Sequence, residues 1–268
     1  MKNIYREFQC LFDDINLLSK GKGLYYFHNY GNWGDSVIRQ GFLDFADFYG
    51  LGYRNYIRRG LKRRRTRLGQ IQNKILSEYH RFASVLIYGG GGGWCRNWNT
   101  SISEVEYASR AFNKVIVLPS TYEFPPSRKY DNVVFYARDR FESQRVVSDS
   151  KFCHDMAFFL ERRISRMNIL KDRSDGFFFR EDKESLGCFN IPSGNRDISS
   201  EGNQDTPIDK FLMEIGRYKN IHTDRLHVAI CGAMLGCYVN MYPGNYRKNE
   251  DLFNSTLSIY FDNVRFLK

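Results

Sequence analysis

The sequence predicts an α/β fold made of two Rossmann-like lobes, each built on a parallel sheet. Three observations carry that prediction. Uninterrupted apolar runs at Leu24–Phe27, Val85–Tyr88, Val115–Leu118 and Val133–Tyr136 are what strands buried on both faces look like. Helical patterns separate these runs, as in the βα alternation of a covered parallel sheet. A polar tract over 161–205, rich in Ser, Gly, Asn and charge, interrupts the series before a smaller βα series resumes. The boundary is therefore expected near 160–175, with an N-terminal lobe over 1–165 and a smaller C-terminal lobe over 166–268.

Leu24-Tyr25-Tyr26-Phe27 reads as the first strand, followed by a loop from His28 to Gly34. A helix is expected from near Asp35, because Ile38, Phe42, Phe45 and Tyr49 recur on one face. Residues 53–57 read as a second strand and 61–82 as a basic helix. The strand at 85–88 runs straight into five glycines, and Ser101 with Glu104 reads as a capping box opening a helix to about Phe112. Strands at 115–118 and 133–136 complete the first lobe. In the second, Phe177-Phe178-Phe179 reads as a strand, and Thr206-Pro207 as an N-cap with proline in the first turn of a helix to about Tyr218. A short strand at 220–222, a buried helix from Arg225 to Leu235 and a strand at 238–241 follow.

With 268 residues, 42% hydrophobic and 16% aromatic, the chain can bury roughly three-quarters of its unfolded surface. That excludes a disordered chain or a small disulfide scaffold. Forty Lys and Arg against 30 Asp and Glu leave +10, which draws anionic partners without naming one. The six cysteines form no CxxC pair and read as reduced thiols. The five histidines lack HxxxH or HExxH spacing, so no metal site is expected. The N-terminal segment has no signal-peptide apolar core, and the longest apolar stretch, His227 to Val239, is 13 residues, too short to span a bilayer. The expected location is the cytoplasm, with peripheral contact at the inner face of the membrane.

Ligands of open α/β sheets bind outside the carboxyl ends of the strands, so those loops are the candidate sites. The first is His28-Asn29-Tyr30-Gly31-Asn32-Trp33-Gly34-Asp35-Ser36, where Asp35 reads either as a helix cap or as a carboxylate able to take a proton from a hydroxyl. The second is Gly89 to Gly93, which is no Walker loop because no Lys-Ser/Thr follows; it reads as a close approach of backbone to ligand or to backbone. The third holds Arg138 beside Asp139, an anion-binding fork or a surface ion pair. The fourth is Thr223-Asp224-Arg225-Leu226-His227, polar groups at the mouth of an otherwise apolar helix, where they are costly unless paired.

In order and spacing these segments resemble the polysaccharide pyruvyl transferase family. The resemblance runs over roughly 24–257. It rests on Asn32-Trp33-Gly34-Asp35-Ser36, Gly89-Gly90-Gly91-Gly92, Ala137-Arg138-Asp139-Arg140-Phe141-Glu142-Ser143, Asp155-Met156-Ala157-Phe158 and Thr223-Asp224-Arg225-Leu226-His227-Val228-Ala229-Ile230, with Lys248 beyond. The chain departs from the family pattern at Pro119-Ser120-Thr121-Tyr122, where relatives often carry a Gly-Gln-Gly run, and at Asp155-Met156, where they carry Asp-Pro. The resemblance implies a fold similar to B-type glycosyltransferases with the active site between the lobes. It implies transfer of pyruvate from phosphoenolpyruvate to two hydroxyls of a sugar, free or lipid-linked, with no cofactor. Arg138 and His227 match residues associated with donor binding and catalysis, and Asp35 is the candidate base. Asn29, Asn32, Gly34, Gly90, Gly91, Gly92, Asp224, Arg225 and Lys248 are expected to contact substrate.

Two alternatives stay open. A sugar-nucleotide glycosyltransferase shares the architecture. The run Arg54, Arg58, Arg59, Lys62, Arg63, Arg64, Arg65 and Arg67 reads as a solvated helix face or as a docking face for an anionic membrane, with nucleic acid the weakest reading.

Overall fold

The computed structural model describes residues 4–57, 75, 78–187 and 191–267. Helix α1 (Tyr5–Ser19) packs beneath a first sheet of seven strands: β1 (Gly23–Phe27), β2 (Arg54–Asn55), β3 (Ser84–Tyr88), β4 (Gly91–Trp94), β5 (Lys114–Tyr122), β6 (Val133–Ala137) and β7 (Lys151–Phe152). Their order is β2-β1-β3-β5-β6-β7, with β4 paired to the far end of β5, and every pairing is parallel. Helices α2 (Trp33–Phe48) and α3 (Thr100–Ala111) belong to this lobe. The second sheet is also parallel, in the order β11-β10-β9-β8, from β8 (Arg173–Phe178), β9 (Tyr218–Thr223), β10 (Tyr238–Met241) and β11 (Val264–Phe266). Helices α4 (Asp209–Gly216), α5 (Leu226–Met234) and α6 (Lys248–Leu252) accompany it. The expected α/β architecture of two parallel-sheet lobes is present.

The chain leaves the first sheet at Phe152 and starts the second at Arg173. It also comes back: beyond α6, the Ser255 hydroxyl accepts from the Arg140 amide at 2.9 Å, and Thr256 Oγ1 meets His154 Nδ1 at 2.9 Å. One apolar core runs through both lobes, from Phe8, Phe42 and Phe45 to Ile215, Ile230 and Val239, and a second covers the other face of the first sheet around Phe112 and Trp94. Burying these side chains on two sides of each sheet is what the continuous apolar runs required.

Three elements differ from the expectation, and a fourth is only partly described. The second strand shrinks to two residues. The basic helix is described only at 75 and over 78–83; Arg58, Arg59, Lys62, Arg63, Arg64, Arg65 and Arg67 lie outside the described residues. The Ser101/Glu104 capping box does not form, because Asn99 occupies the cap position and Ser101 is buried, hydrogen-bonded to Tyr88. Thr206 does not cap the second-lobe helix. Its hydroxyl closes a turn on the Asn203 amide (2.9 Å), while the Thr206 and Pro207 carbonyls accept from Ser36 Oγ (2.5 Å) and Trp33 Nε1 (3.2 Å), tying that turn to α2. No described helix is long and apolar enough to cross a membrane.

Candidate active site

The carboxyl ends of both sheets face one cavity of about 730 Å³ between the lobes, a size suited to a small ligand. First-lobe walls are Asn29, Asp35, Gly92 and Arg138; second-lobe walls are Arg180, Glu184, Arg225, His227 and Lys248.

Asn32 is the N-cap of α2. Its Oδ1 accepts from the Gly34 amide at 2.8 Å, and Asp35 Oδ2 accepts from the Asn32 amide at 3.0 Å, a reciprocal capping box. Asp35 is thus neither the cap itself nor a free base: one carboxylate oxygen is engaged, and the residue still borders the cavity. Burial pushes its carboxyl above the ordinary range, while His227, the Asn32 amide, Arg138 and Lys248 pull the other way. A raised carboxyl suits a group that takes up a proton.

Arg138 follows β6 and is 1% exposed. Its partner is not Asp139, which caps the following turn on the Ser143 amide at 2.9 Å. Instead Arg138 Nη1 donates to Asp155 Oδ2 at 2.6 Å and Nε to Thr121 Oγ1 at 2.8 Å. Nη2 makes no hydrogen bond to a described residue and stands 3.3 Å from where a Gly92 side chain would be. His227, in the first turn of α5, brings Nε2 to 3.6 Å from the same Asp155 oxygen. It can do so because Gly34 has no side chain; a Cβ there would lie 2.5 Å from His227 Nδ1. Asp155 therefore joins the arginine of one lobe to the histidine of the other. Burial works to raise the Asp155 carboxyl, yet His227, Arg138 and the Ala157 amide hold it well below the usual carboxylate range.

The five glycines do not form an open loop. Gly91 to Trp94 pair with β5, and a side chain on Gly90 would meet the Pro119 carbonyl at 2.3 Å. Of the expected ligand glycines only Gly92 lines the cavity, opposite Arg138 and Lys248; Gly90 and Gly91 support the sheet. Asn29 does border the cavity and donates to the Gly90 carbonyl at 2.5 Å.

Arg225 differs most from expectation. Its guanidinium fork is filled by Asp197, with Nε to Oδ1 at 2.8 Å and Nη2 on Oδ2, and Nη1 lies 2.8 Å from Asp182. Asp224 does not line the cavity: it accepts from the Arg180 amide at 2.8 Å, and burial pushes its carboxyl up to about 6. Lys248 is buried and donates to Glu184 at 2.6 Å; burial lowers its ammonium pKa, which Glu184 partly restores. Glu184 also binds Arg180 and accepts from Trp98 Nε1 at 2.5 Å, a link between lobes. These acidic partners, Asp182, Glu184 and Asp197, lie in the polar tract over 161–205. The signal that could have found them was Phe177-Phe178-Phe179 followed by charges: the carboxyl end of another strand.

Among the described residues no group of three or more His, Cys, Asp or Glu could hold a metal ion. No family model matches the chain, and no curated protein matches it. The fold is similar to a solved structure of an uncharacterized protein from Klebsiella pneumoniae, at 26% identity and a TM-score of 0.76 over 100% of both chains.

Proposed function

We propose that the cleft transfers pyruvate from phosphoenolpyruvate to two hydroxyls of a sugar, leaving a cyclic ketal and phosphate. The observation that carries this reading is the Arg138–Asp155–His227 chain: a buried guanidinium with one nitrogen free toward the cavity, and an imidazole held beside the same carboxylate. Phosphoenolpyruvate carries a phosphate and a carboxylate, and a desolvated guanidinium is a strong anchor for either. Lys248, across Gly92 from Arg138, is a second cation at that end.

The balance of the reaction assigns the protons. One sugar oxygen bonds to C2 as the methylene carbon C3 takes up a proton; a second sugar oxygen then bonds to C2 as the C2–O bond to phosphate breaks. Of the two hydroxyl protons lost, one is matched by the proton gained at C3 and the other leaves with phosphate. His227, an imidazole on the cavity wall, fits the acid at C3 or at the leaving phosphate. Asp35, with a raised carboxyl on the opposite wall, fits the base. Arg225 and Arg180, neutralised by Asp182, Asp197 and Glu184, shape the second-lobe wall facing the sugar.

Calorimetric titration with phosphoenolpyruvate and with uridine diphosphate tests the reading. Binding of the former, lost in Arg138→Ala, is expected. Binding of the nucleotide alone would favour a sugar-nucleotide glycosyltransferase and overturn it.

A further inference from the structure

At the amino ends of the first sheet, away from the cleft, a second surface has its own chemistry. Residue 75 and residues 78–83 are helical. Ile75, Tyr79 and Phe82 are 62%, 49% and 73% exposed, and within the helix over 78–83 the i, i+3 spacing sets Tyr79 and Phe82 on one face. The other face is used: His80 is buried, stacked on Phe112 at 4.8 Å. Next to this stripe lies a groove of about 540 Å³ with Arg81, Arg110, Arg128 and Lys129 on its walls and a single carboxylate, Asp131. Arg110 shares its charge with Glu106, at 2.5 Å; Arg81, Arg128 and Lys129 have no ion pair among the described residues. Arg81 belongs to both features, adjacent to Phe82 in sequence and on the groove wall.

Three large apolar side chains left in water, two of them on one helix face, bordered by cations with no ion pair among the described residues, form an amphipathic surface of the kind that settles into a lipid interface. We propose that this face docks the protein on an anionic bilayer, with Ile75, Tyr79 and Phe82 entering the headgroup region and Arg81, Arg128 and Lys129 meeting lipid phosphates. Charge complementarity selects the occupant. A second copy would bring cations against cations, and a nucleic acid would leave the Ile and Phe side chains without apolar partners. The strands between this face and the cleft are about five residues long, about 17 Å, so docking leaves the cavity mouth open on the opposite end. The inference is independent of the reaction assigned to the cleft.

The test is co-sedimentation of the full chain with vesicles of phosphatidylcholine alone or mixed with phosphatidylglycerol, at low and high salt. Pelleting is expected only with the anionic vesicles, and it should fade as salt rises. Each of Arg81→Gln, Arg128→Gln and Lys129→Gln should lower partitioning about fivefold, the effect of losing one cation near an anionic surface. Phe82→Ser should lower it at high salt as well, where the charge contribution is screened. All these side chains are exposed at the surface, so the variants should keep the wild-type circular dichroism spectrum and cleft ligand binding. Equal pelleting with neutral vesicles, no pelleting, or wild-type pelleting by the combined Arg81, Arg128 and Lys129 variant would overturn the proposal. So would salt-sensitive retention on RNA or DNA without vesicle binding, or self-association abolished by Phe82→Ser.

Discussion

Replacing Asp155 by asparagine removes one charge from the centre of the cleft and almost no volume. Asp155 is fully buried, 2.6 Å from Arg138, and the Ala157 amide donates to its other oxygen at 2.9 Å. Asparagine can keep the amide contact but leaves a buried guanidinium without its counter-charge. Breaking one partner of a buried pair costs about 3–5 kcal/mol; the retained hydrogen bond places Asp155→Asn near the lower end, about 3 kcal/mol. For a chain of this size that corresponds to a fall of roughly 6–12 °C in Tm. The pH dependence is a second signature. The folded carboxyl is held below its unfolded value of about 3.9, so the unfolded state binds more protons through that window. Asp155 therefore stabilises the fold above about pH 4, and the contribution is lost as pH falls through the depressed folded value. Thermal unfolding followed by circular dichroism should show wild type well above the variant at neutral pH and the gap narrowing below pH ~4. A variant within about 1 kcal/mol of wild type at neutral pH, or a gap that stays constant into acid, would refute the view of Asp155 as the counter-charge of Arg138.

Other substitutions separate groups that face the ligand from groups that hold the wall. Arg138→Lys should lose donor binding by more than tenfold, since a single ammonium cannot hold Asp155 and Thr121 and also reach the cavity; equal affinity would remove Arg138 from the donor site. Gly92→Ala should weaken donor binding with little change in Tm, because the methyl enters the space before Arg138, whereas Gly90→Ala should lower Tm by forcing β4 off the Pro119 carbonyl; paired titration and melting curves distinguish the two. Asp35→Asn should abolish the acid limb of the kcat/KM profile, which in wild type lies above the ordinary carboxylate range. Asp224→Asn should be at least as stable as wild type at pH 7: with its carboxyl pushed up to about 6, the folded state binds more protons than the unfolded one, and ionised Asp224 costs about 3 kcal/mol above that value. A marked loss of stability in denaturant would contradict this.

Most of the first lobe was legible because its signals are local. Val85–Tyr88 and Val115–Leu118 are apolar on both faces and became central strands, and Gly92, beyond the first of them, lines the cavity. Arg138, His227 and Asp35 stood out by their place at strand ends, and Lys248 only through the family resemblance. What sequence could not supply was pairing across long separations. Arg225 looked like an open fork because Asp197 is 28 residues away in a tract whose charge and Ser/Gly content read as surface. Asp155 appeared only as part of a motif, since nothing local reveals that Arg138 and His227 converge on one of its oxygens. Gly34 was read as a ligand contact and instead makes room for a histidine 193 residues later, a close approach that exists only once the lobes meet. Ser101 failed as a cap because a tertiary partner, Tyr88, took its hydroxyl, and Thr206 because its hydroxyl closes a local turn on the Asn203 amide.

Turnover decides the chemistry of the Arg138–Asp155–His227 cleft. Incubation of the protein with phosphoenolpyruvate and a panel of sugar acceptors, with phosphate release and acceptor mass followed together, should give acceptor-dependent phosphate matched one for one by pyruvyl ketal, and both should vanish in His227→Ala. Phosphate release without a ketal product, or undiminished turnover in His227→Ala, would contradict the account.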